Sequence, residues 1–119
     1  MKKFMAVFTG NRATSPKSAK WDAMDEQLRN ERMQAGMKAW HGWVSQHESV
    51  ITDGGGPLGK TKLVNESGVS NISNSLSGYT IVTADSHEAA ARLFENHPHF
   101  TIFPGDGVEI MEIMPIPGL

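Results

Sequence analysis

Two hydrophobic periods alternate along this chain, and the period sets the first reading of each stretch. Lys3 to Thr9 is apolar at nearly every position over a strand's length and is closed by Gly10-Asn11, so it predicts a central strand covered on both faces. Ala13 to Pro16 reads as a loop. From Ser18 the apolar spacing lengthens to three and four, through Trp21, Met24 and Leu28 and then Met33, Met37, Trp40 and Val44, which is helical. One helix through Glu48 would run about 45 Å, longer than a domain of this size is wide, so a break is expected near Arg29 to Glu31. Ser49 to Thr52 and Lys62 to Asn65 are short strand candidates. Glu66 to Ser77 is polar and turn-forming and reads as a mobile loop holding at most one ragged strand, Val69 to Ile72.

The strongest local pattern runs from Gly78 to Phe100. Tyr79, Ile81 and Thr83 alternate with Thr80, Val82 and Ala84, a β-branched and aromatic set suited to a strand. Asp85 then stands three residues before Glu88, the spacing of a capping box, which predicts a helix start. Ala90, Leu93, Phe94 and His97 share one stripe of that helix, and Pro98 ends it, so His97 is expected at its C-terminus, where the macrodipole would favour the protonated ring. After a loop through Pro104 to Gly107, Val108 to Met114 reads as the last strand. The order is β-α-β-β-α-β: an α+β, ferredoxin-like fold in one domain spanning residues 1–119.

Composition narrows the function classes. A net charge of −2 leaves no basic footprint for nucleic acid or an anionic membrane, and the absence of cysteine removes thiol and disulfide chemistry. Five apolar residues follow the two N-terminal lysines before Thr9, too few for a signal-peptide core or a membrane span, so the expected location is cytoplasmic.

Three constellations carry candidate chemistry. Gly54 to Thr61 satisfies the phosphate-loop string G-x-x-x-x-G-K-T, but Lys62 to Gly68 carry no helical stripe and Pro57 removes an N–H, so nucleotide binding is not expected. His97-Pro98-His99 has a metal-ligand spacing, yet the corner at Pro98 and the lack of a third and fourth ligand argue against a metal, and no cofactor is implied. Imidazole titrates near neutral pH, which makes His97 and His41 the candidates for acid–base work, with a structural role for His97 as the alternative. Trp40 and Trp43 bracket His41 and offer an aromatic lining for a planar ligand, or core packing onto the sheet. Tyr79 is a candidate pocket wall or dimer contact.

Trp40-x-x-Trp43, Asp53-Gly54-Gly55-Gly56-Pro57-Leu58-Gly59, Ser77-Gly78-Tyr79-x-Ile81, Ala84-Asp85-Ser86, His97-Pro98-His99 and Glu109-Ile110-x-Glu112-Ile113-Met114-Pro115 together resemble the YCII-related family, in particular its DGPF-domain or YCII-domain proteins. The resemblance spans nearly the whole chain and is poorest over Glu66 to Ser77. It implies a ferredoxin-like fold whose antiparallel sheets pair in a homodimer, a dimeric α/β barrel. In the branch of the family taken to be catalytic, a histidine on the first helix faces an aspartate directly before a proline after the second helix. This chain has His97 before Pro98, and His41 on the first helix. The ligand-binding candidates are Trp40, Trp43, His99, Tyr79 and Asp53. Two functions follow: a ligand-binding protein for a small aromatic or cyclic molecule, or a dehydrochlorinase-like or isomerase-like enzyme in which histidine moves a proton on a small cyclic substrate.

Overall fold

β1 (Lys2–Thr9) lies inside a four-stranded sheet, hydrogen-bonded on both edges, in a computed structural model that describes residues 1–119. After it come α1 (Pro16–Ala23), α2 (Glu26–Gln46), β2 (Ile51–Pro57), β3 (Thr61–Asn65), β4 (Gly68–Ile72), β5 (Leu76–Ala84), α3 (His87–Arg92), α4 (Pro98–Thr101) and β6 (Gly107–Glu112). The sheet order is β2-β5-β1-β6 and the pairs are antiparallel, the arrangement of a ferredoxin-like split β-α-β. No helix is long and apolar enough to cross a membrane.

Alternation along β1 divides its side chains between two unlike faces. Phe4, Ala6 and Phe8 join Val82 and Ala84 of β5, Trp43 of α2, Ala90 of α3 and Phe94 in the buried core. Met5, Val7, Tyr79, Ile81 and Met111 fall on the opposite face, aligned by the pairs Met5–Ile81, Met5–Met111 and Val7–Tyr79. The core cluster draws nothing from that second face. Central β1 is therefore covered by helices on one side only, not on both as its unbroken apolar run suggests.

Four further expectations are corrected. The helical region breaks at Met24–Asp25, not at Arg29 to Glu31, because the Asp25 carboxylate accepts the Leu28 N–H at 2.8 Å and starts α2 afresh. Within Glu66 to Ser77 the expected strand Val69 to Ile72 is present as β4, but it is a regular strand paired with Thr61–Asn65 in a hairpin rather than a ragged one in a mobile loop, and β5 already begins at Leu76. Val64 and Val69 face each other across the hairpin end, a period-two signal diluted by serine and asparagine. The cap of α3 is Ser86, whose hydroxyl accepts the Ala89 N–H at 3.0 Å, rather than a box between Asp85 and Glu88. Finally α3 ends at Arg92, and the chain turns through Asn96 at φ 57° before His97. His97 is thus the N-cap of α4, with Pro98 at the first helical position that proline favours.

Candidate functional site

An open cavity of about 500 Å³ lies between α2 and the end of the sheet where β1 and β5 leave the core. Its size is that of a small-molecule site. Rings supply much of its wall, Phe8 from β1, Trp40 and His41 from α2, and His99 and Phe103 from α4 and the loop after it, and Ser77 to Thr80 of β5 close it. Phe8 and Trp40 meet at 5.1 Å between centroids, and Trp40 meets Phe103 edge-on at 6.2 Å. A ring slipped among them would meet both faces and edges, the geometries aromatic pairs prefer.

The floor is shaped by β2. Asp53 accepts the Gly55 N–H at 2.9 Å, and Gly55, at φ +64°, bends the strand so closely over Tyr79 that any side chain there would overlap the Tyr79 carbonyl. The bend shifts the β2–β5 register between Asp53 and Gly56 and brings Gly54, Gly56 and Pro57 to the cavity lining. The Tyr79 hydroxyl donates to Asp53 at 3.4 Å, so Asp53 orients the tyrosine without itself lining the space.

His99 lies across the boundary with a second cavity of about 280 Å³, which it shares with Ser77 and Phe103. In that second space Arg12 donates to Asp22 at 2.9 Å. The His99 ring is anchored at one nitrogen. Its Nε2 lies 2.8 Å from the Thr9 carbonyl, an acceptor only, so Nε2 carries the hydrogen. The ring edge crosses Gly105, where a Cβ would overlap it. Lys17 holds the surrounding loop by donating to the Phe100 carbonyl at 2.7 Å and the Gly105 carbonyl at 2.6 Å. Burial lowers the His99 pKa below 6.5, as does Lys17, while the Thr9 hydrogen bond and Asp106 act the other way.

His97 stands behind this wall, fully buried. Four rings enclose it: Trp40 at 4.5 Å, Trp43 at 4.8 Å, Phe8 at 5.1 Å and Phe94 at 5.9 Å. Its Nδ1 accepts the His99 N–H at 3.0 Å, which places the ring hydrogen on Nε2, and that nitrogen is enclosed without an acceptor. Burial pushes its pKa down to about 4, reinforced by His99 and His47. The neutral ring is favoured, the reverse of what a helix C-terminus would produce.

The structure therefore brings Trp40, His41, Tyr79 and His99 to one cavity and leaves Trp43, His97 and Asp53 outside its lining. Trp43 is a core residue whose indole donates to the Leu93 carbonyl at 2.9 Å. Sequence reasoning passed over Phe8 and Phe103. Phe8 could have been found from the alternation Phe4, Ala6, Phe8, whereas only the folded loop shows Phe103. Thr61 opens β3 rather than a helix, so the phosphate-loop string lacks the helix N-terminus that motif requires.

No family model matches the chain, and no curated protein matches it. Among solved structures, 5-chloro-2-hydroxyhydroquinone dehydrochlorinase from Burkholderia phenoliruptrix, in complex with 2,5-dihydroxybenzoquinone, superposes with a TM-score of 0.52 at 16% identity, over 94% of this chain and 93% of that one. At that identity the likeness establishes a shared fold.

Proposed function

We propose that this chain is a YCII-related protein that binds a small planar ligand, aromatic or cyclic, in the cavity walled by Phe8, Trp40, Tyr79, His99 and Phe103. The observation that carries the reading is the chemistry of that wall: the rings of Phe8, Trp40, His41, His99 and Phe103 stand across it from the glycine-rich backbone of β2 and β5, and its only ionisable members are His41, Tyr79 and His99. An apolar ring is stabilised there by burial at about 25 cal/mol per Å², and no fixed charge needs a counter-ion. The structural neighbour's ligand, 2,5-dihydroxybenzoquinone, is a planar ring that a space of about 500 Å³ can accommodate.

Proton transfer on such a ligand is the second reading, favoured by the two histidines at the cavity wall. The homodimer belongs to the same proposal. Met5, Val7, Tyr79, Ile81 and Met111 form a continuous apolar strip on the face opposite the core, and a second copy laid on that face would close a barrel.

Isothermal titration calorimetry with 2,5-dihydroxybenzoquinone and a panel of monocyclic phenols, lactones and cyclic enones tests the reading. Saturable 1:1 binding that is lost in Trp40→Ala supports it. A panel without a binder, or binding unchanged in Trp40→Ala, removes the cavity as the site.

A further inference from the structure

We propose that the proton acceptor of this cavity is Nδ1 of His99, and that the site selects rings carrying a neutral O–H or N–H at their edge. The inference rests on the ring-binding reading above and adds the group that would act on the ligand.

The assignment follows from what each imidazole nitrogen already does. His97 has no free lone pair, because its Nδ1 is occupied by the His99 N–H and its Nε2 holds the hydrogen inside a closed aromatic cage. His41 lies on an exposed position of α2 with no hydrogen bond to fix either tautomer, so it cannot hold a lone pair in one direction. His99 differs from both. Its hydrogen is committed to Thr9 through Nε2, which leaves Nδ1 as the lone-pair nitrogen. Nδ1 has no partner within the protein and, unlike His97 Nε2, is not sealed off, although only 9% of the residue's surface is exposed.

The surroundings hold the ring in this state. Gly105 admits the ring edge beside Nε2, the Asp106 N–H shares the Thr9 carbonyl at 2.9 Å, and Lys17 ties both ends of the loop. An acceptor fixed this way has no hydrogen to offer, so it discriminates by what the ligand donates. A neutral hydroxyl or amine at the ring edge can hydrogen-bond to Nδ1, and a carbonyl or an already ionised oxygen cannot. If the proton moves, the O–H or N–H bond breaks, its electron pair stays on the ligand, and Nδ1 takes the proton. The imidazolium so formed keeps its Nε2–H bond to Thr9, so the ring need not reorient for the proton to return.

The test uses 4-nitrophenol, a planar ring with one ionisable hydroxyl, at a pH about one unit below that hydroxyl's own pKa so that the neutral form dominates, and its methyl ether, 4-nitroanisole. Long-range ¹H–¹⁵N correlation spectra report the nitrogens of all five histidines, and the indole N–H signals report arrival in the cavity. The proposal expects the phenol to shift His99 Nδ1 and leave His97 Nδ1 in place, and the ether to bind about tenfold more weakly. His99→Leu, which leaves no acceptor, should equalise the two ligands, whereas His97→Asn should preserve the preference. If 4-nitrophenol moves the Trp40 indole signal but not His99 Nδ1, or if His99→Leu keeps the preference, His99 is not the acceptor and the ring-binding reading stands alone. Failure of both nitrophenyl compounds to move Trp40 at millimolar concentration would overturn the proposal together with the reading beneath it.

Discussion

The Nδ1 of His97 accepts the backbone N–H of His99 at 3.0 Å, so one histidine caps the turn that presents the other. Capping and chemistry are divided between two rings two residues apart. Removing the cap costs about 1 kcal/mol, and emptying a fully buried ring site adds a cavity term. His97→Ala should therefore lose about 2 to 4 kcal/mol by urea denaturation. His97→Asn, which keeps an acceptor for the His99 N–H, should lose distinctly less. A His97→Ala variant as stable as wild type would show that the ring does not carry the turn.

Stability should fall with acid. His97 binds a proton at about pH 4 when folded and 6.5 when free, so as pH drops the unfolded chain is protonated first. The contribution is whole above pH 6.5, shrinks between 6.5 and about 4, and is gone below, a loss on the order of 3 kcal/mol. His99, whose pKa is also lowered, adds in the same direction. Denaturation across this range in His97→Asn should give a flatter slope than wild type. An unchanged slope would assign the acid sensitivity to other groups.

Gly36 of α2 faces the Phe103 ring closely enough that a Cβ would collide with it. In Gly36→Ala the helix gains about 1 kcal/mol of propensity, and displacing the ring costs about 1 to 3 kcal/mol. Phe103 has to move, and it lines both cavities. Ligand affinity should fall by more than stability does, as calorimetry and thermal melting on the same sample would show. Equal affinity in the two proteins would mean that Phe103 is not part of the wall.

The apolar strip on the second sheet face predicts association. Light scattering at micromolar concentration should give twice the chain mass, and Ile81→Lys, whose position pairs with Met5 in the middle of the strip, should give the single mass with the core intact. A wild-type monomer would sink the barrel.

The β-α-β-β-α-β frame was legible because its elements announce themselves locally: apolar runs for β1 and β5, a three-four stripe for α2, an apolar stretch for β6. The site was legible in part. Trp40, His41, Tyr79 and His99 do share a cavity, because α2, β5 and the corner after α3 converge at one end of the sheet. The role of His97 could not be read from its stripe. Proline at position 98 is compatible both with ending one helix and with starting the next, and only the turn at Asn96 decides between them. Both strands of the β3–β4 hairpin were named, but not their pairing: with Val64 and Val69 largely exposed, no core demand shaped the sequence into a clear alternation.

Entry of a planar ligand between Phe8, Trp40 and His99 would register at the three tryptophan indoles. Trp40 lines the cavity, Trp43 lies in the core with its N–H on Leu93, and Trp21 lines the neighbouring cavity. Titration with neutral 4-nitrophenol, followed by ¹H–¹⁵N spectra, should move the Trp40 signal progressively to saturation and leave Trp43 nearly still. Saturable binding in which Trp40 stays fixed while Trp21 moves would contradict the account.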